Sequence, residues 1–317
     1  MSELAKNFET NATTQLSAVM KDGEAHIMTT ITGIVAGESI VYGGPPGGSK
    51  TNLMRAVPKL IGDITPEMVA ELSPLADTTP KENVGSVVEV EGKKTYIPGA
   101  IRRETRFLLD DDGSRKNPYT QDSLLGVREG GYVLIAGDKF YVDLLADIQT
   151  LNASKPGQPI FKLSEAGASR SGAGTIFGKT SEDTMKDLFG RKFIPSEVTA
   201  ITSIEELEQL IKEAKDYRGT SDSLDTAAAK MTARIREAHE EILGYSEAGG
   251  RMARQLGNLV AARLVLSNEK DGSSVGEMNA LHLAAGMIID ARVSGLSPKP
   301  EEHAEAIRQR AGVEQVL

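Results

Sequence analysis

Apolar residues near the start of the chain follow first a helical and then a strand pattern. From about residue 23 to 42 they predict an apolar helix, a turn at Gly37 and a short β-branched strand, "SIVY". The glycine-rich segment "GGPPGGSK" follows that strand directly, and "SKTNLMRAV" then predicts a helix that Pro58 must end or kink. The predicted order is strand, glycine-rich loop, helix.

The middle of the chain alternates turn clusters with short apolar runs. "RFLLDDD" is typical of a brief strand that ends in three acids. "FYVDLLADIQTLN" and "KFIPSEVTAI" are further candidates for strands or buried helices, whereas "SKPGQP" and "GASRSGAGT" indicate loops. The pattern predicts an α/β domain with a mostly parallel sheet flanked by helices over residues 1–202.

Helical spacing dominates the chain from about residue 203. One predicted helix ends at Gly244, a second spans about 250–266, and a third begins at Ser274 and reaches Gly295. The first rests on apolar positions three or four apart: Leu224, Ala228, Met231, Ile235, Ala238 and Ile242. We expect residues 203–317 to form a small all-helical domain, with "KDYRGTSDSLD" as its hinge.

Composition narrows the function classes. The 317 residues include no cysteine, which excludes disulfides and thiolate zinc sites. No run reaches the roughly 18 apolar residues of a membrane-spanning helix, and the N-terminal segment lacks a leader pattern, so we expect a cytoplasmic protein. The net charge of −9 disfavours a large nucleic-acid-binding surface. The four histidines are scattered without metal-ligand spacing.

The glycine-rich loop carries the strongest chemical signal. A loop that holds a triphosphate turns several backbone N–H groups inward and opens into a helix N-terminus, which favours anions. Lys50 would reach the β- and γ-phosphates of ATP, and Thr51 would place its hydroxyl on Mg²⁺. Ser49 stands where the usual phosphate-loop pattern has glycine. The alternative interpretation is a structural turn that happens to contain a lysine.

The three acids at 110–112 strengthen the nucleotide interpretation. A phosphoryl-transfer site needs one carboxylate at a neighbouring strand end to hold magnesium and another to orient the attacking water. Three adjacent acids taken alone are more often a solvated turn.

Several segments together resemble the MoxR branch of the AAA+ ATPases. They are "GPPGGSKT", "TTPKENVG", "IPGAIRRETRFLLDDDGSR" and "NPYTQDSLLGVREGGYVLIAG". That branch shows a GPPGTGKT loop, a strand ending A-D-E-I-N-R and a T-Q-x-A-L-L-x-x-M-E-E-G helix in the same order. The resemblance implies a P-loop NTPase fold of the AAA+ type with a helical lid.

The resemblance also assigns roles to residues. Asp111 matches the magnesium-associated aspartate, Asp112 the water-orienting glutamate, and Asn152 the polar residue that senses the γ-phosphate. Aspartate is one methylene shorter than glutamate, so hydrolysis is expected to be slow. Ser114 replaces the asparagine of the family pattern. The implied nucleotide-binding residues are Gly44, Gly47, Gly48, Ser49, Lys50, Thr51 and Asn52.

Two arginine roles come from the same resemblance. "KDLFGRKF" makes Arg191 the candidate arginine finger offered to a neighbouring subunit, with Arg170 as a rival. "GYSEAGGRMARQLGNLVAARLVL" makes Arg251 the candidate lid arginine that contacts the nucleotide of its own chain, with Arg254 as the alternative.

The leading functional hypothesis is an ATPase that assembles into a ring of six copies and remodels a protein client in a chaperone-like manner. Its nucleotide state would move the helical lid against the α/β domain, and its partner could carry a von Willebrand factor A domain. The alternative is an ATP-binding scaffold with little hydrolysis, which Asp112 and Ser49 favour. A DNA-dependent motor is disfavoured by the acidic charge.

Overall fold

The structure is a computed structural model. It describes residues 3–20, 23–47, 49–135, 137–152, 161–178, 198–218, 222–245, 247, 249–267 and 274–314. The strands are β1 Ser39–Gly43, β2 Val69–Leu72, β3 Ser86–Val90, β4 Lys93–Ile97, β5 Phe107–Asp110, β6 Tyr132–Ile135, β7 Asp138–Tyr141, β8 Ala146–Thr150 and β9 Ser171–Ile176.

Helices before and between the strands are α1 Glu3–Val19, α2 Glu24–Ala36, α3 Lys50–Ala56, α4 Pro80–Val84, α5 Pro118–Asp122, α6 Leu125–Gly130 and α7 Glu165–Arg170. Those after the sheet are α8 Ile204–Arg218, α9 Asp222–Leu243, α10 Gly249–Ser267, α11 Ser274–Leu296 and α12 Pro300–Ala311. Short 3₁₀ helices occupy Val57–Leu60, Pro66–Met68 and Gly113–Arg115.

Five strands form one parallel sheet in the order β2-β5-β8-β1-β9. The register sets Tyr42 opposite Thr150, and Asp110 opposite Gln149, so β1, β5 and β8 end at nearly the same level. Two antiparallel hairpins, β3–β4 and β6–β7, lie outside this sheet. The predicted α/β class with a parallel sheet is confirmed.

Local signals explain the elements that lead to the glycine-rich loop. The apolar helix α2 ends at Gly37, whose φ of 65° is left-handed and whose N–H bonds back to the carbonyls of Gly33 and Ile34. Pro58 falls in the 3₁₀ helix that follows α3, so the predicted early end of that helix is confirmed. The predicted C-terminal helices correspond to α9, α10 and α11, and Gly244 follows α9 with a φ of 63°.

The interpretation of "GASRSGAGT" as a loop was wrong. Its first residues end α7, and the others form most of β9, which pairs with β1 inside the sheet. The strand is made of small residues because α11 lies directly over it. A side chain on Gly174 would place its Cβ 2.4 Å from the Cα of Ala291. Glycine here marks a close backbone approach and not a turn.

Other segments also differ from the sequence-based expectations. α1 was not predicted, although its buried positions Ala5, Phe8, Ala12, Leu16 and Val19 have helical spacing. Helix continues through much of the expected hinge, because α8 extends to Arg218 and α9 begins at Asp222. In "KFIPSEVTAI", residues 192–197 lie outside the described part, and 198–201 are neither strand nor helix.

One large apolar core joins the sheet to the C-terminal helices. It takes in residues from α1 and α2, from the sheet, and from α8 to α12. A smaller cluster on the other side of the sheet joins β2 and β5 to α6 and the β6–β7 hairpin. The division at residue 202/203 therefore stays a prediction. Within the described residues, no helix is both long enough and apolar enough to cross a bilayer.

Candidate functional site

The glycine-rich loop leaves the carboxyl end of β1 through residues that need glycine. Gly44 has a φ of 128°, and a Cβ there would lie 2.3 Å from the carbonyl oxygen of Phe177. Gly47 has a φ of 90° and faces open space. The path of the loop thus keeps its backbone groups free of covering side chains. Gly48, the remaining predicted glycine, lies outside the described residues.

Ser49 lies just before α3 with a left-handed backbone, at φ 61° and ψ 7°. A residue with a side chain pays roughly 1–2 kcal/mol for this conformation, which glycine adopts without that cost. The usual glycine at this position is therefore explained by backbone geometry. Serine is tolerated there at the expense of local strain.

The side chain of Lys50 lies inside the loop. It is 5 % exposed, and its Nζ donates to the carbonyl oxygens of Gly44 at 3.0 Å and Pro45 at 2.6 Å. Burial lowers the pKa of Lys50 to about 8, although nearby Asp112 and Asp111 oppose this shift. A phosphate group would supply the buried ammonium with a full counter-charge, so the loop fits an anionic ligand.

Thr51 and the acidic end of β5 meet across the sheet edge. The Thr51 hydroxyl donates to Oδ1 of Asp111 at 2.9 Å, and the Thr150 hydroxyl donates to the same oxygen at 2.8 Å. Hydroxyl and carboxylate oxygens are the hard ligands that Mg²⁺ prefers. Residues predicted from two distant motifs are therefore brought together. Asn52 lies beside them in the first turn of α3, half-buried.

Asp112 is held by several groups at once. Its Oδ1 accepts from Nδ2 of Asn152 at 2.7 Å and from the Ser114 hydroxyl at 3.1 Å, and its Oδ2 pairs with Nε of Arg115 at 2.5 Å. Its backbone is left-handed, with a φ of 49°. A strained, nearly buried carboxylate at a strand end is typical of a functional position.

Thr150 is a residue that the sequence interpretation missed. Besides its bond to Asp111, its Oγ1 accepts the backbone N–H of Asp112 at 2.7 Å. It is the last residue of β8, and β8 lies between β5 and β1. A hydroxyl residue at the end of a buried strand, two positions before Asn152, is the signal that could have identified it.

Asp110 points the other way, into a buried charge cluster with Lys116, Arg128 and Asp147. Arg128 donates to Asp110 at 2.7 Å and to Asp147 at 3.1 Å, while Lys116 pairs with the second oxygen of Asp110. Burial opposes ionisation of Asp110, but Lys116 and Arg128 outweigh it and hold its pKa below the usual range. Burial raises the pKa of Asp147 instead, against the attraction of Arg128.

Arg251 contacts Ser169 and Glu129, and its contact with the nucleotide of its own chain stays a prediction. Arg251 Nη1 donates to the Ser169 hydroxyl at 2.6 Å, and its other end pairs with Glu129. Arg170 pairs with the same Glu129. Three residues, Arg170, Arg251 and Glu129, thus form what we call the arginine edge.

Strand register explains why the arginine edge is remote. Ser171, directly after Arg170, is level with Ser39 at the start of β1, whereas the loop leaves the end of β1 at Gly43. Those two levels are roughly 13 Å apart at about 3.3 Å per residue. Arg191 lies outside the described residues. Arg254 is an exposed residue of α10, and its charge opposes the rise in the pKa of Glu38 that burial causes.

No protein-family model and no curated protein matches the sequence. Among solved structures, a "putative ATPase" from Cytophaga hutchinsonii matches at 18% identity with a TM-score of 0.71, over 99% of this chain and 98% of that one. The sheet order, the loop after β1 and the acidic end of β5 lie within that match.

The chain shares the fold of that protein. A full-length MCM homolog from Methanopyrus kandleri also matches, at 12% identity with a TM-score of 0.54. The match covers 99% of this chain but 63% of the MCM homolog. At these identities the likeness concerns the fold, and the activity has to be argued from the site.

The left-handed backbone at Ser49 makes a testable prediction. Replacing Ser49 by glycine should raise the free energy of unfolding by about 1 kcal/mol, because glycine adopts this conformation without strain. Ser49→Ala is the matched control and should bring no such gain. Urea unfolding of the three proteins measures the difference; equal stability of the glycine and alanine variants would show that the backbone is not strained.

Proposed function

We propose that the protein binds ATP with Mg²⁺ and hydrolyses it as an AAA+ ATPase of the MoxR type. The single observation that carries this proposal is the 2.9 Å hydrogen bond from Thr51 to Asp111. It joins the start of the helix after the glycine-rich loop to the acidic end of β5. A solvated acidic turn or an incidental lysine-containing loop gives no reason for these groups to meet.

Each residue then has a defined task. The backbone from Gly44 to Lys50 binds the phosphates, and the Lys50 ammonium exchanges its two carbonyl partners for phosphate oxygens. Thr51 and Asp111 would hold the metal ion. When bound, Mg²⁺ supplies positive charge that neutralises the phosphate oxygens during transfer.

Asp112 would orient the attacking water and accept its proton. Asn152 and Ser114 bond to one oxygen of this carboxylate and fix the direction of the other. Asn152 would also sense the γ-phosphate, as the resemblance implies. Because Asp112 is one methylene shorter than the glutamate of the family pattern, we expect slow turnover.

Arg170 and Arg251 would serve the nucleotide of a neighbouring copy. They lie at the amino end of the strands, roughly 13 Å of strand length from the loop of their own chain. Arginine neutralises phosphate oxygens through its planar fork, and such a residue supplied from a second subunit makes catalysis depend on assembly. Arg170 is therefore a candidate arginine finger beside Arg191, and the homohexameric ring remains part of the proposal.

The client remains part of the proposal by resemblance alone. A chaperone-like remodelling or assembly role, with a partner that carries a von Willebrand factor A domain, is what the MoxR pattern implies. Binding of purified candidate clients in the presence of ATP is the direct measurement.

A scaffold that binds ATP and hardly hydrolyses it is the second candidate. The observation that favours it is the engagement of Asp112, whose two oxygens already bond to Asn152, Ser114 and Arg115. A carboxylate held in this way must give up a partner before it can bind water. Tight ATP binding with negligible phosphate release would support the scaffold.

Lys50→Ala tests the proposal itself. Removing the ammonium should weaken Mg-ATP binding at least tenfold and abolish turnover, because the phosphates lose their main positive partner. Calorimetry measures the binding, and phosphate release measures the turnover. Lys59→Ala, a nearby lysine outside the loop, is the control; absence of any heat from wild-type protein titrated with Mg-ATP would overturn the proposal.

Asp112→Glu should keep or raise ATP turnover, since the longer side chain reaches farther towards the water. Asp112→Asn should lose turnover at least 100-fold and still bind ATP, because an amide cannot accept the proton. Phosphate release at saturating ATP distinguishes the variants. Loss of turnover in Asp112→Glu with binding intact would contradict the assignment of this residue.

Mixing of two inactive variants tests the neighbour-facing arginines. Arg170→Ala and Lys50→Ala should each be inactive alone, but a mixture should hydrolyse ATP. In the mixture, Lys50→Ala copies supply Arg170 to the intact loops of neighbouring Arg170→Ala copies. Arg251→Ala should behave like Arg170→Ala.

Arg310→Ala removes an exposed ion pair with Glu241 and is the control; it should keep wild-type activity. A mixture as inactive as its separate components, although both assemble, would count against delivery of the arginines to a neighbour.

A further inference from the structure

The buried charge cluster lies directly beside the proposed reaction site but takes no part in the chemistry described so far. Lys116 is 0 % exposed and Asp110 is 1 % exposed, and the side chain of Arg128 is 4 % exposed. Asp147 completes the cluster, and Gln149 donates to Asp110 at 2.9 Å. Four charged side chains are thus removed from water at one place.

Such burial is not explained by stability. Taking ions out of water costs several kcal/mol each, and well-packed apolar residues often stabilise a core as well or better. The buried charge cluster is better explained if it fixes one arrangement of the chain.

The position of Asp110 shows which arrangement is fixed. It is the last residue of β5, and Asp111 and Asp112 follow it beyond the sheet, where strand pairing no longer holds them. Lys116 returns from the far side of the same turn to pair with Asp110. The ion pair therefore closes a short loop that contains both proposed functional acids.

Arg128 ties this closed loop to two further elements. It extends from α6, binds the second oxygen of Asp110, and reaches Asp147 on β8. β8 also supplies Thr150, which bonds to Asp111 and to the backbone of Asp112. The turn is consequently held by the ion pairs of Asp110 and by the hydroxyl of Thr150.

We propose that Lys116 and Arg128 are positioning residues, which act through Asp110 to hold Asp111 and Asp112 at the Mg-ATP site. This inference rests on the proposed function. Neither cation is among the residues proposed to hold the nucleotide or the metal ion. Their role is to keep the two carboxylates aimed at the loop that begins with Gly44.

The test removes charge without leaving an unpaired ion. The variant Asp110→Asn/Lys116→Met deletes one anion and one cation and keeps the side-chain volumes similar. Asp290→Asn/Arg308→Met is the matched control, since it removes another largely buried ion pair, one that joins α11 to α12. Lys116→Arg preserves the charge and tests rescue.

Three measurements separate positioning from mere stability. Thermal unfolding shows that each variant is folded at the assay temperature. Calorimetry with ATP in EDTA measures the affinity that the loop around Lys50 provides without metal. The gain in affinity when Mg²⁺ is added measures the contribution of Asp111. The rate of phosphate release measures the contribution of Asp112 to turnover.

In the Asp110→Asn/Lys116→Met variant we expect metal-free ATP binding within about twofold of wild type. The gain from Mg²⁺ should be lost, and turnover should fall on the order of 100-fold, since displacement by about 1 Å can cost that much. Lys116→Arg should recover a substantial part of both, and the control should change neither.

A folded variant with wild-type Mg²⁺ dependence and turnover would overturn the inference, as would an equal loss in the control. An Asp110→Asn/Lys116→Met variant that does not fold at the assay temperature would also overturn it, because the cluster would then be a requirement of folding. If the wild-type protein binds no ATP, that result contradicts the proposed function instead. If wild-type protein binds ATP but does not hydrolyse it, the Mg²⁺ dependence of binding still decides the question.

Discussion

One carboxylate oxygen, Oδ1 of Asp111, joins the parts of the site. It accepts hydrogen bonds from Thr51 at the start of α3 and from Thr150 at the end of β8. These contacts exist because parallel strands of matched length end together, so groups that are about 40 to 100 residues apart in sequence meet at one edge. Without this register, the glycine-rich loop and the acids would not lie at the same edge of the sheet.

The parts of the site that sequence could predict are those whose residue type is set by local geometry. Glycines at positions 44 and 47 have positive φ angles that other residues avoid, and the acids are recognised because they directly follow an apolar strand. The strand β9 was missed for the opposite reason. Its small residues resemble a loop, and their cause is a helix that packs from more than 100 residues farther along the chain.

The assignment of Arg251 shows a related limit. A motif gives the residue and its neighbours in sequence, but not which end of the sheet its helix faces. Tertiary packing decides that, and here it places Arg251 with Arg170 on Glu129. The two ends of the sheet therefore differ in chemistry: one carries the glycine-rich loop and the acids, and the other presents two arginines that share a single carboxylate.

The seating of α11 has a mechanical consequence. A side chain on Gly43 would lie 2.1 Å from the Ser294 hydroxyl, and one on Gly174 would lie 2.4 Å from the Cα of Ala291, so the helix touches two adjacent strands with almost no side-chain layer between. Long, flexible side chains between the helix and the sheet would allow the helix to shift, whereas direct backbone contact leaves little room for movement. Any displacement at the base of the glycine-rich loop should therefore move α11 together with the sheet. Bending between the sheet and α11 is therefore resisted at both of these contacts.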